Sequence, residues 1–354
     1  MSRIRVREMG LEMGTLPAGK HNAITDVEGV GVGHSTLIEG DSIRTGVTAI
    51  VPHQGNLYEE KVTAAADVLN GYGKTVGLTQ IRFEGNIETP VLLTETLNTW
   101  KVADASVDYW MHGYGFKPFS VNTVVGETNG GYLTDNYDRH VGREMVFEAI
   151  DKARSVAGMD AVDEGNVGGG TPMTGYGFKG GIGTSSRMVG DAEIGVLVQL
   201  NCGRKEDLMI DGVPVGKEVP IPEEPERGPG NSIMMIVATN VALDSRQLWK
   251  VAKRTTMGLA RTGSFSGNSS GDFTIAFTTG KLGMMEFIEP DPTLTRLSRE
   301  GVLSPLYLAI VEATEEAIIN ALFKAETMTG FSGHVRHALP LDETREVLKK
   351  YSRI

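Results

Sequence analysis

The sequence predicts a mixed α/β or α+β fold, because strand-like and helix-like segments are interspersed along the whole chain. Its 354 residues can form two average domains or one large unit, and 40% hydrophobic with 22% charged residues is ordinary globular composition. Glycine is in excess, with 45 residues that cluster at the ends of segments. This clustering indicates close approaches of the backbone around a site.

The first half of the chain alternates strand and helix patterns, recognised by apolar periods of two and of about 3.6 residues. The predicted elements are short strands joined by glycine turns over 22–40, a strand over 44–53, a strand and an amphipathic helix over 88–113, a strand entering a glycine turn over 119–131, and a helix over 138–155. The richest glycine segment, 168–183, predicts loops near a pocket, with Thr184 and Ser185 starting a helix.

A linker is predicted in the second half, because residues 211–231 hold five prolines and no apolar periodicity. The elements predicted on either side of this linker are a buried strand over 193–201, a strand over 232–239, a helix over 245–261, a strand over 271–280, a long helix over 304–327 and a polar-faced helix over 341–354.

Charge and cysteine content restrict the partners and the compartment. The net charge of −11, without a block of like charges, argues against nucleic acid and favours small or cationic partners. Cys202 is the only cysteine, which excludes an intramolecular disulfide and a cysteine metal cluster. No apolar run approaches the roughly 18 residues of a transmembrane helix, and the start "MSRIRVREMG" lacks the apolar region of a secretory signal. We therefore expect a cytoplasmic protein with no membrane partner.

Motifs for common cofactors and metals do not fit the sequence. "GVGVGH" is not followed by a helix, and Pro172 interrupts the glycine string "GNVGGGTPMTG", so neither indicates dinucleotide binding. His334 and His337 lie three positions apart in a turn-rich stretch and are interpreted as surface residues rather than metal ligands. No G-x-S-x-G elbow lies between a strand and a helix. The sequence predicts no metal and no cofactor.

The segment "GPGNSIMMIVATN", residues 228–240, places Ser232 between a flexible turn and a buried strand. Ser232 is either an ordinary residue at a strand boundary or the N-terminus of a chain that cleavage would create. In the second interpretation the Asn231–Ser232 bond is cut, and the new α-amino group, with a pKa of about 7.7–8.0, is the base for the hydroxyl of the same residue. The Gly-Pro-Gly turn before Asn231 permits the bent approach that this attack requires.

As a set, several strings resemble the DmpA family (peptidase family S58) of L-aminopeptidase/D-esterases and β-peptidyl aminopeptidases. They occur in family order over most of residues 20–285, and they are "NAITDVEGVGVGH", "RTGVTAIVPH", "VVGETNGGYLTD", "EGNVGGGTPMTGYGFKGGIGTSSR", "GVLVQLNCGR", "GVPVGKEVP", "NSIMMIVATNVAL" and "MGLARTGSFSGNSSGDFTIAFTTG". The resemblance implies a four-layer αββα sandwich formed by residues 1–354 as one domain. It also implies self-cleavage into an α chain, 1–231, and a β chain, 232–354.

The resemblance assigns catalytic roles at four positions. Ser232 resembles the nucleophile, and Ser270 with Asp272 resembles its partner pair, in which some members have Glu as the acid. Asn201 resembles the amide that stabilises the oxyanion. Without the resemblance, Ser270 and Asp272 are equally typical of a turn, and Asn201 of a strand end. Cys202 is interpreted as a small core residue.

Two further positions are expected to bind substrate. Glu127 resembles the carboxylate that receives the free ammonium group of the substrate, although by itself it could be an exposed carboxylate. Asn129 stands where some members have tyrosine, so contacts with the substrate are expected to differ there.

The function that these features imply is that of a self-processing serine aminopeptidase or amidase. Its substrates would be small peptides, amides or esters with a free amine, including D- or β-amino acid substrates. The family also implies a homo-oligomer, a tetramer of αβ protomers. Two alternatives stay open: an acyltransferase similar to the ornithine acetyltransferases, whose nucleophile is threonine, and an uncleaved binding protein with the same fold.

Overall fold

The computed structural model describes residues 3–113, 118–221, 231–281 and 300–354. The strands in these ranges are β1 (Gly31–Glu39), β2 (Ile43–Val51), β3 (Val62–Gly71), β4 (Asn86–Ile87), β5 (Val91–Glu95), β6 (Val124–Thr128), β7 (Thr174–Gly175), β8 (Phe178–Lys179), β9 (Gly181–Val189), β10 (Ala192–Asn201), β11 (Ser232–Thr239), β12 (Gly271–Thr278), β13 (Met328–Thr329) and β14 (Val335–Arg336). The α-helices are α1 (Leu78–Glu84), α2 (Thr99–Gly113), α3 (Arg143–Ala153), α4 (Val215–Glu218), α5 (Ser245–Ala252), α6 (Thr255–Arg261), α7 (Glu300–Lys324) and α8 (Leu341–Lys350).

Two large mixed sheets form the centre of the fold. One has four strands in the order β1-β2-β5-β6, and the other has six in the order β4-β3-β12-β11-β10-β9. The β5–β6 and β11–β12 pairs are parallel, whereas the other pairs in these sheets are antiparallel. Helices α2 and α3 pack on the four-stranded sheet, and helices α5 and α7 pack on the six-stranded sheet. The predicted αββα layering is confirmed.

Strand β11 is apolar on both faces because it lies between two cores. Met234 and Ile236 belong to the core that includes both sheets, whereas Met235 and Val237 belong to the core under α5 and α7. Successive side chains of a strand point to opposite faces, so an unbroken apolar run is what a strand buried on both sides requires. The same alternation places Ser232 on the face between the sheets.

Several expectations about local structure were wrong. Thr184 and Ser185 start no helix but lie inside β9, where the backbone of Gly183 approaches α7 so closely that a Cβ would lie 2.1 Å from Ala317 O. Gly183 therefore serves the packing of α7 on β9. The single helix predicted over 245–261 is two helices, because the chain turns after α5 and lets Gly258 of α6 contact the backbone of α7.

Other elements lay outside the predictions. Strand β3 and helix α1 were not predicted, and the predicted linker 211–231 contains the short helix α4. Residues 222–230 of that linker, with the Gly-Pro-Gly turn, lie outside the described residues. Where the chain is described, no helix combines the length and the apolar character needed to cross a membrane.

A buried ion network ties α7 to β9 and to the N-terminal segment. Arg187 of β9 is fully buried, and its guanidinium lies 3.2 Å from Glu312 Oε2 and 2.7 Å from Glu316 Oε2 of α7. Glu316 also pairs with Arg7, at 2.8 Å. Because Glu316 joins two arginines, it holds three separate segments of the chain together.

Substitution of Glu316 by glutamine is therefore expected to be strongly destabilising. Glu316→Gln leaves buried Arg187 with one carboxylate fewer, and breaking a buried ion pair from one side costs about 3–5 kcal/mol. Glu346→Gln is the control, because Glu346 forms an exposed pair with Lys349 and its loss changes stability by about 0.5 kcal/mol or less. Urea unfolding measures both free energies, and equal small losses would contradict the importance of the network.

Candidate active site

Ser232 is the first residue of β11, in the interior of the six-stranded sheet. It lies directly opposite Asn201, the last residue of β10, in the antiparallel register. Its side chain is buried, and its Oγ accepts a hydrogen bond from Gly271 N–H at 3.1 Å. Hydrogen-bonded strands on both sides thus fix the position of this hydroxyl.

Ser270 and Asp272 form a hydrogen-bonded pair at the start of β12, on either side of Gly271. Ser270 Oγ donates to Asp272 Oδ1 at 2.5 Å, a short bond of the kind that a carboxylate accepts. Asn70 Nδ2 donates to Asp272 Oδ2 at 3.1 Å. Burial raises the pKa of Asp272, while the hydrogen bonds from Ser270 and Asn70 act in the opposite direction. Both members of the pair are buried, unlike ordinary turn residues.

Asn201 has a side-chain amide whose orientation is fixed on both sides. Its Oδ1 accepts hydrogen bonds from Thr174 N–H at 2.9 Å and Thr174 Oγ1 at 3.3 Å. Its Nδ2 donates to the carbonyl oxygen of Asn129 at 2.9 Å. The oxygen of the amide therefore faces the β7 hairpin, and the nitrogen faces the loop that follows β6.

Glu127 lies at the end of β6 and is buried, so it is not an exposed carboxylate. Its Oε1 accepts a hydrogen bond from Lys74 N–H at 2.9 Å, and Lys74 Nζ lies 3.9 Å from the same oxygen. A side chain at Gly73 would crowd this site, because its Cβ would lie 3.2 Å from Glu127 Oε1 and 2.5 Å from the Phe273 ring.

Asn129 hydrogen-bonds within a turn through its side chain and to Asn201 through its backbone carbonyl. Its Oδ1 accepts hydrogen bonds from Gly131 N–H at 2.9 Å and Asn136 Nδ2 at 3.3 Å, which close the turn after β6. Its carbonyl oxygen faces Asn201. This division of roles was not predicted from the sequence.

Asn231 lines a small cavity of about 40 Å³ beside the site. Ser270 and Cys202 contribute to the wall of the same cavity, as does the segment 264–267. Burial raises the pKa of the Cys202 thiol far above its usual range, so this sulfur stays protonated and is a poor nucleophile. The interpretation of Cys202 as a core residue agrees with its position.

The glycine loop before β7 approaches both sheets closely. Gly168 has a φ of +51°, and a Cβ there would lie 2.3 Å from Thr48 Oγ1. Gly169 N–H donates to the same hydroxyl at 3.1 Å. This close approach agrees with the interpretation of the glycine-rich segment, and it brings the following residue Thr174 to Asn201.

Three potential metal ligands cluster after the turn that follows β6. Asp135, Asp138 and His140 place their ligand atoms within 4.8 Å of one another. Exposed acidic groups commonly cluster without an ion, so we assign no metal to them.

Solved structures with this fold identify the class of protein. The L-aminopeptidase D-Ala-esterase/amidase of Ochrobactrum anthropi, described as a prototype for the serine aminopeptidases and a variant of the Ntn hydrolase fold, matches with a TM-score of 0.84 at 36% identity and 99% coverage of both chains. The PH0078 protein of Pyrococcus horikoshii OT3 matches with a TM-score of 0.87 at 46% identity, over 99% of this chain and 100% of its own. The chain is a hydrolase of this aminopeptidase class, as predicted.

Sequence comparisons then give the family. The model of Peptidase family S58 matches residues 22–336. Beta-peptidyl aminopeptidase BapA of Sphingosinicella xenopeptidilytica is 37% identical over 374 residues, which span 98% of this chain and 91% of BapA. The chain belongs to peptidase family S58. This membership confirms the predicted family and favours hydrolysis over the acyltransferase alternative.

Glu95, which the sequence interpretation missed, is a fully buried carboxyl at the end of β5. Its Oε2 accepts hydrogen bonds from Leu97 N–H at 3.2 Å and Asn98 Nδ2 at 3.1 Å, whereas its Oε1 has no hydrogen-bond partner among the described residues. Burial raises the pKa of Glu95 to about 8, and the charge of Glu127 adds to the rise. Glu95 is therefore protonated at neutral pH.

Glu95→Gln is expected to stabilise the protein relative to wild type as the pH rises. The folded protein keeps a proton that the unfolded chain releases above its usual pKa of 4.5, so ionisation of Glu95 opposes folding between pH 4.5 and about 8. The difference in unfolding free energy between variant and wild type should grow by up to about 1.4 kcal/mol per pH unit over this window. Urea unfolding at several pH values measures this difference. The control is the exposed Glu346→Gln, for which the difference from wild type should not change over the window. If the unfolding free energies of Glu95→Gln and of wild type changed with pH in parallel, the raised pKa of Glu95 would be refuted.

Proposed function

We propose that this S58 hydrolase matures by cleavage between Asn231 and Ser232, and that Ser232 then removes N-terminal residues from small substrates with a free amine. The observation that carries the proposal is the position of Ser232. It begins a central strand, lies opposite Asn201, and accepts a hydrogen bond from the residue between Ser270 and Asp272.

The cleavage step requires only groups of the chain and water. Ser232 Oγ attacks the carbonyl carbon of Asn231, and the C–N bond breaks as the acyl group moves from nitrogen to oxygen. The hydroxyl proton goes to the released nitrogen, which becomes the α-amino group of Ser232. Water then hydrolyses the ester, leaving a carboxylate on Asn231 and a free amine beside the hydroxyl.

Hydrolysis of a substrate repeats this chemistry at the same oxygen. The carboxylate of Glu127 binds the substrate ammonium, as its 3.9 Å approach to Lys74 Nζ supports. The free α-amino group of Ser232 takes the hydroxyl proton and gives it to the leaving amine. An N–H of the Asn201 amide stabilises the oxyanion, and water releases the acyl group.

The Ser270–Asp272 pair supports the proton transfer in this proposal. The short bond to Asp272 makes Ser270 Oγ electron-rich, so it is a good hydrogen-bond acceptor for an N–H of the Ser232 amine. Asn70 holds the other oxygen of the carboxylate.

We further propose that the preferred substrates carry an N-terminal β-amino acid. The support is the relative named a β-peptidyl aminopeptidase, which is 37% identical over 98% of this chain. D-amino acid amides and esters are the second candidate class, because the Ochrobactrum anthropi relative is named a D-Ala-esterase/amidase.

The substrate proposal is tested with β-alanyl, L-alanyl and D-alanyl p-nitroanilides. The expected result is a kcat/KM for the β-alanyl compound about tenfold or more above the other two. In the proposed mechanism Glu127 binds the ammonium and Ser232 attacks the acyl carbon, so the site suits one separation between these two groups of the substrate. N-acetyl-β-alanyl p-nitroanilide is the control, and it should not react because it cannot pair with Glu127. Faster cleavage of the D-alanyl compound would assign the second class instead.

We also propose that cleaved protomers assemble into a homotetramer and act in the cytoplasm. The family resemblance supports the assembly, and the single cysteine is typical of a reducing compartment. Light scattering of the purified protein measures the oligomeric state.

Ser232→Ala is expected to abolish both maturation and hydrolysis, because it removes the attacking oxygen. Intact mass under denaturing conditions should show chains of residues 1–231 and 232–354 for the wild type and one chain for the variant. Ser269→Ala is the matched control, since Ser269 is exposed and adjacent to Ser270, and it should mature normally. An uncleaved wild type would support the binding-protein alternative, and a cleaved Ser232→Ala would assign the nucleophile elsewhere.

A further inference from the structure

Lys179 is a fully buried lysine, and within the described part of the chain its ammonium hydrogen-bonds to three backbone carbonyl oxygens. Nζ donates to Met173 O at 2.8 Å, Gly180 O at 2.8 Å and Gly170 O at 3.2 Å. A lysine ammonium has three N–H donors, so these three acceptors saturate it. The sequence interpretation passed over this residue as part of the glycine-rich region.

Stability alone does not account for an ammonium group in this place. Removal of a cation from water is costly, and an apolar side chain of the same length would avoid that cost. The buried Arg187 differs, because two carboxylates, Glu312 and Glu316, compensate its charge. Burial lowers the pKa of Lys179, in agreement with this cost. A costly buried cation with saturated geometry indicates a role in organising the backbone around it.

The backbone that Lys179 organises leads directly to Asn201. The carbonyl of Met173 and the N–H of Thr174 are the two ends of one planar peptide unit. Lys179 Nζ donates to the Met173 oxygen of this unit at 2.8 Å. At the other end, the Thr174 N–H donates to Asn201 Oδ1 at 2.9 Å. A cation at the carbonyl end polarises the peptide, which strengthens the N–H as a donor.

The Asn201 amide cannot reverse while this peptide is held. Reversal would turn its NH₂ group toward the backbone N–H of Thr174, which cannot accept a hydrogen bond. With Oδ1 fixed there, Nδ2 faces Asn129 O. Electron withdrawal at Oδ1 also makes the N–H groups on Nδ2 better donors.

The hairpin that carries Lys179 is itself firmly placed. Its turn residues Tyr176 and Gly177 have φ values of +52° and +73°, as in the tightest two-residue hairpins. The buried Tyr176 ring packs against Gly203, and its hydroxyl lies 2.5 Å from Thr262 Oγ1. The ammonium thus acts from a rigid support.

We propose that Lys179 is a positioning residue for the oxyanion amide, which acts through the Met173–Thr174 peptide unit to orient and polarise the side chain of Asn201. The inference rests on the proposed function, in which an N–H of Asn201 stabilises the oxyanion. Lys179 itself contacts neither Ser232 nor the substrate in this scheme, and its effect therefore depends on the presence of Asn201.

A double-mutant cycle on the mature enzyme tests this dependence. Lys179→Met should lower kcat for β-alanyl p-nitroanilide about tenfold or more with KM within about twofold, because only transition-state stabilisation is lost. In an Asn201→Ala background the same change should alter kcat by about twofold or less. Lys179→Arg, which keeps donors and charge, should recover part of the loss. An equal loss of kcat in both backgrounds, or no loss in either, would overturn the proposal.

Phe178→Leu is the matched structural control. Phe178 is a buried neighbour in the same hairpin and packs in the core, so this variant loses stability but should keep its kcat. If Phe178→Leu lowered kcat as much as Lys179→Met does, the effect of Lys179 would come from the stability of the hairpin and not from its ammonium group. Where Lys179→Met does not fold, Lys179→Gln, which keeps two N–H donors, enters the cycle instead.

Hydrogen–deuterium exchange separates this proposal from the proposed function. Exchange in the peptide 171–178 should be faster in Lys179→Met than in wild type and Phe178→Leu, because the Thr174 N–H loses its fixed geometry. A wild type that hydrolyses no substrate would refute the proposed function, while the exchange comparison still decides whether Lys179 holds this segment. Unchanged exchange would refute the positioning role.

Discussion

The alignment of β11 between β10 and β12 is the constraint on which the site depends. Antiparallel pairing sets Ser232 opposite Asn201, and parallel pairing sets the start of β12, with Ser270 and Asp272, beside it. A one-residue slip would turn the hydroxyl away from the space between the sheets. The apolar residues on both faces of β11 prevent that slip, because the residues of one face belong to one core and those of the other face to the other core.

The remaining groups of the site come from loops that this sheet supports. The turn after β6 supplies the carbonyl of Asn129, and the β7 hairpin supplies Thr174. Both contact Asn201 at the end of β10. One amide therefore joins the loop after β6 to the β7–β8 hairpin.

Strand ends were predictable from the sequence, and the partners in loops were not. The apolar runs before Asn201 and after Asn231 identify strands, and the family resemblance assigned Asn201 and Ser232 at their ends. Strand β3 escaped prediction because "VTAAADVLNG" shows no clear alternation, so its last polar residue Asn70 was missed with it. Lys179 was missed for a different reason, since three carbonyl partners leave no signal in side-chain chemistry.

The six-stranded sheet has a consequence for the thermodynamics of the protein after the proposed cleavage. Strands β3 and β10 precede the proposed cleavage point and β12 and β11 follow it, so the two pieces would share two hydrogen-bonded strand pairs. The Arg7–Glu316 pair also crosses between them. Before cleavage, refolding is a unimolecular process. After cleavage the same native state must be rebuilt from two molecules, so its recovery depends on protein concentration. Its lifetime is then set by the rate of unfolding.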